Sequence, residues 1–289
     1  MQRREFLTTL AGAAMYGAQT QPAIQKVPRK GRIKQAAMRT NFDPMMPFED
    51  LCREIARLGA YGVDLAGPND WPTLKKYGLV PTMGGAGPIG FEDGVIRKEL
   101  HDKLEKPFHD WIDQCAAGGC KNIISVGGKK KGMSHEQGLE NATAFFNRVK
   151  GRAEDKGITI CIEVMNSKYE DQRLGRIDQM CDHVWWAADL CKRVNSPSMK
   201  FLFDIYHVQV MDGNIVASIR ENIQSIGHFH TGGVPGRNEL DQTQELNYRF
   251  IAQEIAQLGF KGYVAHEYRP KPGKDPIKDF AEAMDIMDV

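Results

Sequence analysis

From residue 33 onwards, hydrophobic and polar residues follow two patterns that succeed each other along the chain. Short runs rich in β-branched and aromatic residues are typical of buried strands. They predict eight strands, at Ile33–Met38, Gly62–Leu65, Leu79–Met83, Asn122–Val126, Thr159–Val164, Lys200–Asp204, Ile226–His230 and Gly262–Glu267. Longer segments with apolar residues at helical spacing predict helices at Phe48–Leu58, Leu100–Ala117, Glu136–Lys156, Gln179–Val194, Ile215–Ile226 and Leu246–Leu258. Gly59, Gly157 and Gly259 follow three of these segments and mark helix ends.

Eight strands with helical segments between them, in about 255 residues, have the size of a (β/α)8 barrel. A doubly wound open sheet is the alternative. It usually has about five or six strands, and often a Gly-x-Gly-x-x-Gly turn after the first strand. The sequence has no such turn, and no low-complexity linker divides it. We therefore expect an α/β protein with a single-domain (β/α)8 barrel over residues 24–289.

The first 23 residues differ from the rest of the chain. Arg3 and Arg4 precede a Glu-Phe-Leu sequence, and a weakly apolar stretch rich in alanine and glycine follows. Paired arginines ahead of such a stretch resemble a twin-arginine export signal. We expect residues 1–23 to direct export to the periplasm. A cytoplasmic protein with an amphipathic N-terminal tail is the alternative.

The composition argues against several classes of protein. Lysine and arginine number 38 against 37 acidic residues, a net charge of +1, whereas binding to nucleic-acid phosphates favours a strongly basic face. No apolar run reaches the roughly 20 residues that span a bilayer. The six cysteines form no Cys-x-x-Cys pair, so we expect buried free thiols rather than a zinc or redox motif. We expect a small-molecule substrate, no nucleic-acid partner and no membrane insertion, and a homo-oligomer is compatible with the sequence.

The carboxyl ends of the barrel strands form the active site in this fold, and each of the last four strands carries a polar residue there. Successive side chains of a strand point to opposite faces. In Thr159–Val164 the bulky aliphatic residues belong against the helices, so Glu163 points into the barrel. The same alternation turns Asp204, His230 and Glu267 inward. Four side chains from consecutive strands therefore converge at one rim.

Three clustered carboxylates repel one another, and ionising them together is costly without a compensating cation. A divalent metal ion supplies that charge. Ligation by several oxygens and one imidazole suits Mn²⁺, Mg²⁺ or Co²⁺, with Zn²⁺ as an alternative. We expect one divalent ion bound by Glu163, Asp204, His230 and Glu267.

The second half of the chain carries a series of motifs in a fixed order, namely Phe203–Gly213, His228–His230, Gly233–Glu239, Leu246–Tyr248, Gly262–Val264 and Glu267–Pro270. This series resembles hydroxypyruvate isomerase and, more broadly, the xylose isomerase-like TIM barrels of sugar isomerases and epimerases. The similarity extends over most of residues 33–270 and is densest from Ile158 to Pro270.

The resemblance implies a metal-binding set of Glu163, Asp204, His230 and Glu267. It also implies that Glu163 and Glu267 are the paired carboxylates that move a proton between adjacent carbons. The chemistry of these residues agrees. A hydroxy-ketone or ketose would chelate the metal ion through its carbonyl and hydroxyl oxygens, and the ion would stabilise a developing enediolate. One glutamate would remove a proton beside the carbonyl and the other would return it, giving isomerisation or epimerisation.

Three further residues are expected on the substrate side of the site. His207 matches a histidine that meets substrate oxygens in related ketose epimerases, Arg237 matches an arginine near the substrate, and Asn166 ends strand five beside Glu163. His230 is a departure, because hydroxypyruvate isomerases tend to carry glutamine there and ketose 3-epimerases carry histidine. The substrate therefore stays open between a three-carbon hydroxy-ketone and a longer sugar.

A metal-dependent isomerase of the aldose–ketose type, or a ketose 3-epimerase, is the leading hypothesis. An endonuclease IV-like phosphodiesterase on the same barrel would need more histidines at the rim and a DNA-binding face, which the balanced charge disfavours. A non-catalytic carbohydrate-binding barrel is the third hypothesis, but binding alone would not need both Glu163 and Glu267.

Overall fold

The computed structural model describes residues 25–171 and 175–289. The predicted export segment, residues 1–23, lies outside the described residues. The strands are β1 (Lys34–Met38), β2 (Gly62–Asp64), β3 (Val80–Met83), β4 (Asn122–Ser125), β5 (Thr159–Glu163), β6 (Glu170–Asp171), β7 (Gly175–Arg176), β8 (Met199–Asp204), β9 (Ile226–Thr231) and β10 (Tyr263–His266). The α-helices are α1 (Phe48–Arg57), α2 (Trp71–Lys76), α3 (His101–Gly118), α4 (His135–Lys156), α5 (Val184–Val194), α6 (Ile205–Met211), α7 (Ile215–Asn222), α8 (Tyr248–Gln257) and α9 (Pro276–Ile286).

Eight of the strands form one parallel sheet in the order β3-β2-β1-β10-β9-β8-β5-β4. Its two edges meet at Gly84, directly after β3. The Gly84 amide donates to the Asn122 carbonyl at 2.8 Å, and the Ile124 amide donates to the Gly84 carbonyl at 3.0 Å. These two bonds close the sheet into a barrel. The predicted (β/α)8 fold is confirmed, and each barrel strand begins and ends within one residue of its predicted bounds.

Side-chain alternation separates the interior of the barrel from the layer between barrel and helices. Ile160, Ile162, Phe201 and Phe203 belong to the large apolar core against the helices. A small separate cluster fills part of the interior, formed by Met83, Ile124, Cys161 and Leu202. The inward orientation predicted for alternate residues of β5 and β8 is therefore correct.

The structure differs from the sequence prediction mainly in the helices and loops. Helix α5 begins at Val184, not at Gln179, because Gln179 pairs with the loop after β4: its side chain accepts from the Gly128 amide at 2.8 Å. The segment after Asp204 is the short helix α6, which the Asp204 side chain caps by accepting from the His207 amide at 3.1 Å. Helices α2 and α9 and the β6–β7 hairpin were not predicted.

Two expectations from the composition can be compared with the structure. All six cysteines are buried and unpaired, as expected for small apolar side chains. Among the described residues, no helix combines the length and the apolar character needed to cross a bilayer.

Candidate active site

The four residues predicted to share a rim do lie together at the carboxyl ends of the strands. Glu163 ends β5, Asp204 ends β8, His230 lies one residue before the end of β9, and Glu267 follows β10. One oxygen or nitrogen of each lies within 4.8 Å of the corresponding atoms of the other three. Asp204 and His230 are fully buried and Glu163 nearly so, whereas the Glu267 side chain is 23% exposed.

Arg237 brings a positive charge into this cluster. Its Nη2 lies 2.6 Å from Asp204 Oδ2 and 2.7 Å from Glu267 Oε2. The backbone at Arg237 has φ of +58°, directly after Gly236 with φ of +89°, so two successive left-handed residues turn this side chain into the barrel mouth. The ring of Tyr206 lies 5.4 Å from the guanidinium, close enough for a cation–π contact.

The charges in the cluster are strongly coupled. Burial raises the pKa of Asp204 to about 6, helped by the neighbouring Glu267 and Glu163 and opposed by Arg237. Burial would also raise the pKa of Glu267, but Arg237 and His230 outweigh it and hold that pKa well below its usual range. Burial would lower the pKa of Arg237, and the carboxylates of Glu267 and Asp204 raise it instead. The cluster therefore favours additional positive charge.

His230 presents Nδ1 to the carboxylates of the cluster and Nε2 to Asp64 in the barrel interior. Its Nε2 lies 2.9 Å from Asp64 Oδ2, while its Nδ1 lies 2.7 Å from Glu267 Oε2 and 3.8 Å from Glu163 Oε1. Both atoms of the 2.7 Å contact, His230 Nδ1 and Glu267 Oε2, are buried. Their arrangement, with Asp204 and Glu163 beside them, matches the donor set that divalent cations take in proteins, so these residues fit a metal ion.

His207 also faces the cluster, with Nε2 3.8 Å from Asp204 Oδ2. Its Nδ1 lies 3.0 Å from the amide nitrogen of Asn166 and 2.7 Å from Asn166 Nδ2, and both are donors. Burial and the Arg237 charge lower the pKa of His207 well below its usual value, so the ring is neutral and its proton is on Nε2. Asn166 therefore lies behind His207, and its own oxygen accepts from the amides of Lys168 and Tyr169.

Two residues of this region were not singled out from the sequence, Asp64 and Thr82. Asp64 Oδ2 lies 2.8 Å from His228 Nε2 as well as 2.9 Å from His230 Nε2. Thr82 donates a hydrogen bond to Asp64 Oδ1. The available signal was a carboxylate at the end of a buried strand, Gly62–Asp64, together with the strand alternation that puts His228 on the same face as His230.

The fold of the chain belongs to a known class of protein. The model of the xylose isomerase-like TIM barrel family matches residues 71–288, so the chain belongs to that family. "Putative hydroxypyruvate isomerase" of Danio rerio is 35% identical over 136 residues, which cover 46% of this chain and 48% of that protein. The chain thus spans about half the length of that curated relative.

Two further comparisons cover more of the chain. The 2-oxo-tetronate isomerase of Pectobacterium atrosepticum is 25% identical over 239 residues, which cover 78% of this chain and 88% of that protein. The crystal structure of an AP endonuclease of family 2 from Brucella melitensis superposes with a TM-score of 0.76 at 23% identity, over 86% of this chain and 97% of that one. At this identity the structural likeness shows the shared fold alone.

Proposed function

We propose that the protein is a metal-dependent isomerase or epimerase of a small hydroxy-ketone or ketose. The observation that carries the proposal is the convergence of Glu163, Asp204, His230 and Glu267 at the barrel mouth, with ligand atoms within 4.8 Å of one another. Two similar proteins are named as isomerases of hydroxypyruvate and of 2-oxo-tetronate, which are both hydroxylated 2-oxo acids.

The four clustered residues would hold one divalent cation. When bound, such an ion polarises the carbonyl and neighbouring hydroxyl oxygens of a substrate and stabilises an enediolate. Mn²⁺, Mg²⁺ or Co²⁺ suits the three carboxylates and one imidazole, with Zn²⁺ as the alternative.

Glu163 and Glu267 would carry the proton. They extend from β5 and β10, which lie on either side of β8 and β9 in the sheet, so they approach a substrate at the cluster from two directions. One carboxylate accepts the proton from the carbon beside the carbonyl. Its return to the adjacent carbon gives the aldose–ketose type of isomerisation, and its return to the same carbon from the other side gives epimerisation.

His207 and Arg237 would position the substrate. The Nε2–H of neutral His207 is buried and has no hydrogen-bond partner in the described residues, which leaves it available to a substrate hydroxyl or carbonyl oxygen. Arg237 Nε is likewise buried and unpartnered in that part of the chain. A guanidinium suits a carboxylate, which favours a hydroxylated 2-oxo acid over a neutral ketose.

The test is proton exchange with solvent. Wild-type protein with Mn²⁺ is incubated in D₂O with hydroxypyruvate and a panel of ketoses, and deuterium at the reacting carbon is measured. Glu163→Gln and Glu267→Gln remove the proton acceptor while keeping volume, so each should lower turnover about 10²-fold or more. Glu254→Gln is the control, because Glu254 is a buried glutamate of α8 that pairs with Arg220 of α7, outside the cluster.

Full turnover in both site variants would contradict the two-glutamate mechanism. Cleavage of abasic DNA with no exchange into any ketose would instead support the phosphodiesterase hypothesis. Tight binding of sugars with neither reaction would support a non-catalytic carbohydrate-binding barrel.

A further inference from the structure

A chain of polar side chains lies inside the barrel beneath the proposed metal site. It consists of Asn122 on β4, Thr82 on β3, Asp64 on β2, and His228 and His230 on β9. Four of these side chains have no exposed surface, and Asn122 is 7% exposed. The interior of such a barrel is ordinarily filled by apolar side chains, and a buried carboxylate there is costly unless its hydrogen bonds are satisfied. The group is therefore placed there at an energetic cost.

The contacts fix where the protons lie. Asn122 Nδ2 is 3.4 Å from His228 Nδ1 and can only donate to it, so Nδ1 accepts and the proton of the His228 ring lies on Nε2. That nitrogen faces Asp64 Oδ2 at 2.8 Å. The same oxygen lies 2.9 Å from His230 Nε2, while Thr82 donates to the other oxygen of Asp64. A carboxylate oxygen that faces two ring nitrogens is their acceptor, so the geometry has His230 donating from Nε2.

We propose that Asp64 is a positioning residue that holds His230 with its proton on Nε2 and its Nδ1 facing Glu163, Asp204 and Glu267. Thr82 fixes the other oxygen of Asp64, and His228 supports it from the side. A carboxylate that accepts from the second nitrogen of a metal-binding imidazole fixes the ring orientation and raises its basicity. The proposal rests on the metal site of the proposed function, and Asp64 is not one of the four residues that would hold the ion.

The same atoms offer a second interpretation, in which Asp64, His228 and His230 themselves hold a metal ion. The geometry favours the positioning role, because Asp64 already receives hydrogen bonds from His230 and Thr82. An ion at that place would also have to replace the proton on His230 Nε2. The positioning role predicts one divalent ion per chain, whereas the second interpretation predicts two.

The experiment measures Co²⁺ binding to the purified full chain, made metal-free by chelation. Asp64→Asn keeps the shape of the side chain but removes the charge that binds the Nε2–H of His230. We expect one ion per wild-type chain, a 10- to 100-fold weaker Co²⁺ affinity in Asp64→Asn, and a changed visible absorption spectrum of the bound ion. Asp182→Asn is the matched control, since Asp182 is also a buried carboxylate with three donors, namely Lys130, His135 and Ser167. It should lower stability but leave the cobalt spectrum unchanged.

A second pair of variants keeps the inference testable if Asp64→Asn does not fold. Thr82→Val removes the hydroxyl that orients Asp64, and Thr82→Ser retains it. We expect Thr82→Val to weaken Co²⁺ binding about threefold or more, the loss of one hydrogen bond, and Thr82→Ser to restore it.

Unchanged Co²⁺ affinity and spectrum in Asp64→Asn, or in Thr82→Val, would overturn the positioning role while the proposed isomerase stands. Two ions per wild-type chain would also overturn it, in favour of a second metal site. A wild-type chain that binds no ion would remove the basis of both proposals. Measuring solvent proton exchange on the same sample distinguishes this outcome, in which the proposed function fails too, from failure of the positioning role alone.

Discussion

Arg237 is the residue whose position depends most on the loop that carries it. Two successive left-handed residues, Gly236 and Arg237, turn the side chain into the mouth. The Arg269 amide then donates to the Arg237 carbonyl at 2.6 Å and fixes the backbone. The guanidinium is thereby held against Asp204 and Glu267 before any substrate arrives, so little side-chain entropy is lost when an anion binds.

This arrangement predicts that Arg237→Ala mainly affects substrate binding. We expect KM for an anionic hydroxy-ketone to rise about 10- to 100-fold, the loss of a charge-assisted contact, with a smaller rise for a neutral ketose. Steady-state kinetics with both substrates provide the measurement. Arg220→Ala is the control, because Arg220 is a half-exposed arginine paired with Glu254. A large fall in kcat at constant KM would instead assign Arg237 to the chemical step.

Residues of the cluster differ in how far they could be predicted from sequence. Glu163, Asp204 and Glu267 follow from side-chain alternation on single strands. Asp64 does not, because its partner His230 stands on β9, and β1 and β10 separate β2 from β9 in the sheet. A contact across the interior depends on barrel closure and diameter, which local spacing does not determine.

At the scale of elements, the loops between strands and helices also depend on contacts between residues distant in sequence. The residues before α5 were predicted as helical because their apolar spacing continues that of the helix. In the structure they pair with the loop after β4, where Lys130 Nζ donates to Asp182 Oδ2 at 2.6 Å. Helix α6 has seven residues, too few for a periodic pattern to separate it from the strand before it. Tertiary contacts therefore decided these boundaries, whereas the eight barrel strands followed from the sequence alone.

Asp182 predicts a pH-dependent contribution to stability. Burial would raise its pKa, but hydrogen bonds from Lys130, His135 and Ser167 outweigh it and lower the pKa. The contribution is therefore present above the unfolded value of about 3.9 and is lost as the pH falls through the lower folded value. Asp182→Asn should cost about 1–3 kcal/mol at pH 7, and less at pH values below the folded pKa.

Urea unfolding of both proteins between pH 2.5 and 7 measures this difference. Asp212→Asn is a less buried comparison, since the Asp212 side chain is 22% exposed. A wild-type advantage that is constant with pH would show that the Asp182 carboxylate does not carry the effect.

Export is a prediction that concerns the whole molecule. The motif at Arg3 and Arg4 favours the twin-arginine route, which we propose delivers the protein to the periplasm. Replacing both arginines with lysine should leave the protein in the cytoplasm, as measured by cell fractionation. Arg53→Lys with Arg57→Lys, on exposed positions of α1, is the matched control. An unchanged distribution in the Arg3/Arg4 variant would show that export does not use this motif.

The closure of the barrel at Gly84 has a consequence for how the molecule opens. Within the described residues two hydrogen bonds join the edges there, whereas four residues of β8 align with β9. A Cβ atom at Gly84 would lie 3.1 Å from Cys115 Sγ and 3.3 Å from Cys120 Sγ, so Gly84→Ala should strain this junction. We expect it to accelerate amide hydrogen exchange at Ile124 and labelling of Cys115 and Cys120 by a thiol reagent. Equal labelling rates in wild type and variant would show that the barrel does not open first at this junction. If the variant is labelled faster, the two buried thiols serve as reporters of barrel opening at this junction.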